Sequence, residues 1–326
     1  MENDRSRISR REFIRRGVRA AGLVTAIGLG GVGLIKHTQI QELAGGVADA
    51  YDLWQLPDET FRRSYLLDAN IQYSASETSD INIVAFGDSN MGGTEGQKGA
   101  VSAIKLFAIK AQEKLGLRSR DYNLAEKGAT TKKVIEDQIL SPRARRIFEN
   151  PGLADVWINA GGNNLGEVLK NKDDIDEMGE QMTVSKAILK YGPRIVDSLS
   201  QLDEDYSSLL EALSSQYGDK IRNLVIMSVP DISKAHGITS PKIENDEAPT
   251  FSLDSQPLQR LAYNIAVRIN NSMFRAAERF QEAHPEIRVI CINTFPESDF
   301  NHDQHLTTRA FLAIADEAVQ RTRITS

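Results

Sequence analysis

The chain has 326 residues, of which 40% are hydrophobic, 26% charged and 6% aromatic. This length fits one or two globular domains with a sizeable core, and average proline and glycine contents exclude collagen-like and wholly disordered chains. The single cysteine, Cys291, excludes a disulfide framework and any site with several cysteine ligands. The net charge is −6, but the first 50 residues hold 8 of the 39 Lys and Arg and only 5 of the 45 Asp and Glu. The remainder, at −9, is too acidic for a nucleic-acid binder.

The amino-terminal segment has the pattern of an export signal. Seven arginines precede residue 20, and an apolar run over 20–35 follows them. That run is short for a membrane span, which needs about twenty residues, but it suits the apolar part of a signal peptide. Residues 9–15, which contain Arg10 and Arg11, resemble the twin-arginine export signal of bacteria. The resemblance implies passage through the twin-arginine translocase to the periplasm or beyond.

The end of the signal is predicted from small residues. Residues 48–50, Ala-Asp-Ala, have the form that signal peptidases accept, which predicts cleavage before Tyr51 and a signal over 1–50. An uncleaved membrane anchor stays the alternative. Residues 28–33 also spell G-x-G-x-x-G, the dinucleotide-binding fingerprint. That motif needs a strand before it and a helix behind it, so inside an export signal we discard it and expect no cofactor.

The rest of the chain alternates between strand and helix patterns. We interpret 51–80 as an N-terminal extension that packs on a main domain over 81–326. Alternating strands and helices predict a mostly parallel, doubly wound, five-stranded sheet in a three-layer α/β/α sandwich. The predicted strands are 81–87, 122–125, 155–160, 223–229 and 288–292. The predicted helices are 100–115, 132–140, 185–215, 258–284 and 307–321, and two long polar stretches, 167–183 and 233–255, are predicted loops or lids.

Polar residues follow the ends of the predicted strands, where such sheets bind ligands. Ser89 follows the first strand, Gly128 the second and Asn163 the third, while His305 follows the last. A hydroxyl, backbone N–H donors, an amide and an imidazole near carboxylates are the parts of serine-based acyl transfer. Each alone is weak evidence; four at the ends of four of the five predicted strands favour a hydrolase.

Four sequence blocks resemble the SGNH hydrolases, the GDSL-type lipase and esterase superfamily. The blocks keep the family's order and spacing between residues 81 and 321, and they are AFGDS at 85–89, NLAEKGATT at 123–131, GGNNL at 161–165 and HLTT at 305–308. The resemblance implies a flavodoxin-like sandwich and hydrolysis of a small-molecule, lipid or carbohydrate ester. It also implies that no metal or cofactor is required.

The resemblance assigns roles to individual residues. Ser89 is the implied nucleophile, and its backbone N–H, that of Gly128 and the side-chain amide of Asn163 form the implied oxyanion hole. His305 is the implied base that takes the Ser89 proton. Asp303 is our choice for the acid that orients His305, although the family places this acid three residues before the histidine rather than two.

Two alternatives for the base stay open. Asp299 and His302 have the family's literal D-x-x-H spacing but lack the Leu-Thr-Thr continuation, and His305 oriented by a backbone carbonyl would leave a dyad. Asn164 stands where the family usually has Asp, at a position that supports the loop. A metal site among the histidines and carboxylates of this segment is disfavoured because no further histidine cluster exists.

A different class of function also remains possible at this stage. The chain could be an inactive SGNH-fold protein that binds or scaffolds in the cell envelope. Cys291 falls within the last predicted strand and is interpreted as a small buried hydrophobe. The 167–183 stretch carries no long apolar face, which favours small or short-acyl esters over lipids.

Overall fold

A computed structural model gives the fold of the chain. It describes residues 62–77, 81–92, 102–164, 184–234, 237–239, 250–252, 256–294, 296, 299–300 and 306–325. The predicted signal over 1–50, the predicted 167–183 loop and the residues His302, Asp303 and His305 lie outside the described residues. Those assignments therefore stay predictions.

Nine strands and seven α-helices are described in these ranges. The strands are β1 Ile71–Ser74, β2 Ile81–Gly87, β3 Ser119–Asn123, β4 Ala154–Asn159, β5 Ile221–Met227, β6 Gly237–Thr239, β7 Thr250–Ser252, β8 Arg288–Ile292 and β9 Thr322–Thr325. The helices are α1 Ser89–Gly92, α2 Ala103–Leu115, α3 Thr131–Lys133, α4 Pro142–Phe148, α5 Val184–Tyr217, α6 Gln256–Ala283 and α7 Thr308–Gln320. A π-helical stretch, Val134–Ile139, continues α3.

The central sheet has five strands in the order β3-β2-β4-β5-β8, and every neighbouring pair is parallel. In chain order this is 2-1-3-4-5, the flavodoxin-like winding. The predicted doubly wound α/β fold is therefore confirmed. Because the winding reverses at β2, the carboxyl ends of β2 and β4 flank the switch point where such folds bind ligands.

Helices cover both faces of the sheet. All seven residues of β2 are buried, as expected for a parallel strand with helices on either side. Val84 and Phe86 pack in a core with α5 and α6, whereas Ile83 and Ala85 pack in a second core with α2 and α7. The alternation of side chains along one strand thus supplies both cores of the three-layer sandwich.

A second, two-stranded sheet joins distant parts of the chain. β1 pairs in parallel with β9, with Ile71 opposite Thr322. The Arg321 guanidinium next to this pair donates hydrogen bonds to the carbonyl oxygens of Leu66, Ala69 and Cys291. Since Cys291 belongs to the outermost strand β8, residues 64–70 lie against the free edge of the sheet, a common protection of such edges.

Several predicted elements are wrong in detail. No strand was expected before residue 81 or after the last helix, so β1 and β9 are additions, as is helix α4. β3 is centred earlier than the predicted 122–125, and the predicted 132–140 helix is largely π-helical. The predicted 233–255 loop contains the antiparallel pair of β6 and β7. No helix among the described residues is both long and apolar enough to traverse a bilayer.

Candidate active site

Ser89 is separated from the end of β2 by one residue, Asp88, and is the first residue of α1. The turn between strand and helix depends on Gly87, whose φ of +143° favours glycine, and on the N–H of Asp88, which donates to the Asn159 carbonyl over 3.0 Å. Ser89 is partly exposed, whereas Asp88 beside it is buried. The sharp turn therefore presents the serine at the carboxyl edge, at the switch point.

Gln138 fixes the end of β2. Its side-chain amide accepts a hydrogen bond from the Gly87 N–H and donates one to the Gly87 carbonyl, each over 2.8 Å. The Gly87 carbonyl also accepts from the N–H of Glu126 over 3.0 Å, which ties the loop after β3 to the same point. Gln138 lies in the π-helical stretch, a feature that is frequent at functional sites.

The Asp88 carboxylate lies under the serine turn and is 1% exposed. Its Oδ1 accepts from the Asn90 N–H over 2.8 Å, and its Oδ2 accepts from Nδ2 of Asn163 over 3.2 Å. Burial raises the pKa of Asp88 from 3.8 to about 7, although the hydrogen bonds from Asn90 oppose that rise.

Gly128 lies in the loop after β3 with a φ of +75°, and a Cβ built there would meet no atom within 4 Å. Glycine is thus required for the backbone conformation rather than for a close contact within the described structure. The open space on its Cα leaves the backbone N–H unobstructed by a side chain. The next residue, Ala129, directs its carbonyl oxygen to Asn163.

Asn163, in the turn after β4, joins the other two loops. Its Nδ2 donates to Oδ2 of Asp88 and to the Ala129 carbonyl, both over 3.2 Å. Asp88, Ala129 and Asn163 follow β2, β3 and β4 respectively, so one amide connects the ends of three adjacent strands. The sequence-predicted residues Ser89, Gly128 and Asn163 all lie in the loops at this edge.

Asn164, the next residue, links the turn after β4 to Thr131 and to α5. Its Oδ1 accepts from the Thr131 N–H over 3.0 Å, and its Nδ2 donates to Thr131 Oγ1 over 2.7 Å and to Asp205 Oδ2 over 3.0 Å. Asp205 lies on α5, and its pKa is raised by burial. Asn164 therefore holds the 128–131 loop against α5.

Tyr206, also on α5, packs against the turn after β4. Its hydroxyl donates to the Ala160 carbonyl over 2.5 Å. Gly161 has a φ of +103°, and a Cβ there would lie 1.9 Å from the Tyr206 hydroxyl oxygen. No local sequence pattern distinguishes Gln138, Asp205 or Tyr206, because each acts through a contact with a distant segment. The two consecutive glycines at 161 and 162 were the only local signal of this close packing.

The segment that carries the predicted base is described only at its ends. Thr307 donates to Asp299 twice, from its N–H to the carbonyl oxygen and from Oγ1 to Oδ2, each over 2.8 Å, and Phe300 forms an antiparallel bridge with Leu306. The two described ends of this segment, 299–300 and 306–307, are therefore held together. The choice between Asp303 with His305 and Asp299 with His302 is not tested by these contacts.

Helix α7 follows the segment that carries the predicted base. Lys110 and Lys114 of α2 hydrogen-bond to Asp316 of α7, over 2.6 and 3.0 Å, so the two helices are neighbours on one face. β8 lies at the end of the sheet, three strands from β2. Because all five strands are parallel, Ile292 at the end of β8 lies at the same carboxyl edge as Gly87 at the end of β2.

The residues bring no metal site together within the described ranges, where no group of three or more His, Cys, Asp and Glu could hold an ion. Cys291 is fully buried in β8, and burial raises the pKa of its thiol strongly. A buried thiol with a raised pKa is a poor nucleophile, in agreement with a packing role.

Several solved structures of other proteins resemble the structure of this chain. The lipase Lip_vut3 from a goat rumen metagenome is 14% identical, with 74% of this chain and 99% of that chain covered and a TM-score of 0.46. A lipase/acylhydrolase from Enterococcus faecalis is 14% identical, with 74% and 94% covered and a TM-score of 0.40. A variant of an acetyl xylan esterase from Geobacillus stearothermophilus is 12% identical, with 79% and 100% covered and a TM-score of 0.42. No protein-family model and no curated protein matches the chain.

Proposed function

We propose that the protein is a serine hydrolase that cleaves carboxylic esters through an acyl-Ser89 intermediate. The observation that carries the proposal is the convergence of three strand-end loops at the switch point. Ser89 follows β2 there, beside an Asn163 amide that is held by Asp88 and Ala129. A hydroxyl on a sharp turn next to amide donors suits attack on a carbonyl and stabilisation of the resulting oxyanion.

The proposed reaction has two halves. Ser89 Oγ attacks the ester carbonyl while His305 takes its proton, and the tetrahedral intermediate then collapses with transfer of that proton to the leaving alcohol. A water molecule next attacks the acyl-enzyme, again losing its proton to His305, and the acid leaves as Ser89 recovers its hydrogen. These reaction steps require no electron transfer and no co-reactant other than water.

The backbone N–H groups of Ser89 and Gly128 and the Asn163 amide are the proposed oxyanion donors. Gly128 suits this role because its backbone carries no side chain that would obstruct an approaching oxygen. Nδ2 of Asn163 has two hydrogens, and its 3.2 Å contact with the Ala129 carbonyl is long enough to be exchanged for a substrate oxygen. Loss of one such donor typically costs a factor of about 10² to 10³ in turnover.

His305 with Asp303 is the pair that we propose as base and orienting acid. The support from the described residues is that β8, which precedes this segment, ends at the same carboxyl edge of the sheet as β2, which precedes Ser89. Asp299 already accepts the Thr307 hydroxyl, which gives its carboxylate a role at the start of α7. We expect His305→Ala to lower ester turnover by at least about a thousandfold and His302→Ala to change it little. The opposite result would assign Asp299 and His302 instead.

A covalent probe tests the function itself. An organophosphonate should label the folded protein once, at Ser89, and Ser89→Ala should abolish both labelling and hydrolysis of p-nitrophenyl acetate. Ser215→Ala is the matched control, because Ser215 is an exposed serine at the far end of α5 and should label normally. Absence of labelling in folded protein would instead support an inactive SGNH-fold binding or scaffold protein.

The proposed substrates are small or short-acyl esters, including acetylated carbohydrates. This choice rests on the sequence of the 167–183 stretch, which has no long apolar face for a lipid chain. A series of p-nitrophenyl esters from C2 to C16 tests it, with highest kcat/KM expected at C2 to C4. A maximum at C10 or longer would reverse the assignment.

Export through the twin-arginine translocase is the remaining part of the proposal. It rests on Arg10 and Arg11 within the resembling motif and on the apolar run behind them. Replacement of both arginines by lysine should hold the protein in the cytoplasm, whereas replacement of Lys36 by arginine should not. Amino-terminal sequencing of the exported protein would distinguish cleavage before Tyr51 from a retained anchor.

A further inference from the structure

The Asp88 carboxylate is a buried acidic group that the proposed reaction steps do not use. It precedes Ser89 in the chain, is 1% exposed, and accepts a hydrogen bond at each oxygen. The N–H of Asn90 occupies Oδ1, and the side chain of Asn163 occupies Oδ2. The second contact joins this carboxylate to a proposed oxyanion donor.

We propose, on the basis of the function proposed above, that Asp88 is a positioning residue whose carboxylate sets the orientation of the Asn163 amide. An asparagine side chain has nearly the same shape when its Oδ1 and Nδ2 are exchanged, so packing alone selects neither orientation. A carboxylate accepts hydrogen bonds but does not donate them. Asp88 therefore requires that Asn163 present Nδ2 to it.

The same contact determines which group faces a substrate. With one hydrogen of Nδ2 held by Asp88, the second hydrogen is fixed in direction and in this structure meets the Ala129 carbonyl. In the exchanged orientation the carbonyl oxygen Oδ1 would lie there instead. An oxygen at that point would repel the developing oxyanion, so one orientation supports the reaction and the other opposes it.

Few titratable groups surround Asp88 in the described structure. Tyr206 on α5 donates its hydroxyl to the Ala160 carbonyl, and its pKa is raised by burial and by the charges of Asp88 and Asp205, so it stays neutral. The other groups in contact, Asn90, Asn163 and Gly162, are uncharged. With a pKa of about 7, Asp88 takes up a proton in mildly acidic solution, and its oxygen then becomes a donor that favours the exchanged orientation of Asn163.

Asp88→Asn tests the proposal because it inverts one contact without changing the shape. The amide at position 88 has a single acceptor oxygen, which the Asn90 N–H takes, so its NH₂ group faces Asn163 and selects Oδ1 there. We expect kcat to fall about a hundredfold with little change in KM. Asn163→Ala should give a similar loss, and the double variant should lose no more than Asn163→Ala alone. Asp219→Asn, at an exposed carboxylate, is the control and should be unaffected.

A measurement without substrate separates this proposal from the proposed function. The side-chain ¹⁵NH₂ signals of Asn163 should shift with a midpoint near pH 7 in the parent and should not titrate in Asp88→Asn. Multiplicative losses in the double variant, or Asn163 side-chain signals that are the same in the parent and in Asp88→Asn at every pH, would overturn the positioning role. Titrating signals in a protein that no organophosphonate labels would retain that role and reject the esterase.

Discussion

Nδ2 of Asn164 donates a hydrogen bond to Oδ2 of Asp205 over 3.0 Å. A carboxylate at position 164 would lie against that of Asp205. Asn164 and Asp205 thus form a donor and acceptor pair that two carboxylates could not form. The amide at position 164 therefore suits the acidic residue that α5 presents to it.

Substitution at the Asn164–Asp205 contact gives the first prediction. Asn164→Asp should destabilise the protein by about 2 kcal/mol at pH 8, because two like charges meet and two donated hydrogen bonds are lost. Burial already raises the pKa of Asp205, and a second carboxylate raises it further, so stability should recover as pH falls towards 5. Thermal unfolding across pH measures both effects. The double variant Asn164→Asp/Asp205→Asn restores one donor and should regain most of the loss; independent losses would show that the pair is not coupled.

Gly87 provides the second prediction. A Cβ at this position would lie 2.0 Å from the backbone oxygen of Asn159, and the φ of +143° disfavours any side chain. Gly87→Ala should therefore cost about 4 kcal/mol or prevent folding, since backbone strain and overpacking add. Gly116→Ala is the matched control: its φ is also positive, +69°, but its Cβ meets nothing within 4 Å. Chemical denaturation should show a loss of about 1 kcal/mol there, and equal losses for the two variants would contradict the steric explanation.

The raised pKa of Asp88 gives a prediction for pH and stability. The folded protein holds this proton up to about pH 7, whereas the unfolded chain releases it near 3.8, so the Asp88 contribution to stability falls between pH 4 and 7. Asp88→Asn has no charge to bury. The free energy of unfolding of Asp88→Asn, measured by urea titration, should rise relative to that of the parent by up to about 4 kcal/mol as the pH increases from 4 to 7. A difference that is independent of pH would show that Asp88 ionises normally.

Arg321 is predicted to secure the segment before β1. Arg321→Ala leaves the carbonyl oxygens of Leu66, Ala69 and Cys291 without their guanidinium donor. We expect a loss of about 3 kcal/mol, together with faster hydrogen exchange over residues 64–74. Arg323→Ala is the control, since that side chain is exposed and its hydrogen bonds within the described residues go to the nearby backbone oxygens of Gln320 and Thr322. If both variants lost less than about 0.5 kcal/mol of unfolding free energy, Arg321 would not secure this segment.

The sequence predicted the central elements of the fold because their patterns are local. β2, β4 and β8 are short, mostly apolar runs, and the α6 helix repeats its apolar residues at helical spacing, so the layered sheet followed from them. Helix α4 was missed although Ser141 caps it and Pro142 occupies its first turn, a combination typical of helix starts. Its seven residues were too few for a periodic signal.

The candidate site was predictable only in part, for a related reason. Ser89, Gly128 and Asn163 follow strand ends, and the winding of the sheet brings strand ends together. Gln138 and Asp205 reach the same place from a π-helical stretch and from a long helix, where no local pattern distinguishes them. Contacts between residues 51 or 74 positions apart, such as Gln138 with Gly87 and Asp205 with Thr131, depend on the complete tertiary structure.

The pairing of β1 with β9 has a consequence for the order of folding. Ile71 and Thr322 are partners across 251 positions, so during synthesis β1 has no strand to join until residues 322–325 have been made. Such distant contacts form slowly because a long loop must close first. The hydrogen bond from the Tyr73 hydroxyl to Asp155 likewise cannot form until Asp155 has been synthesised. One of the first ordered strands from the ribosome is thus among the last that can reach its native partner.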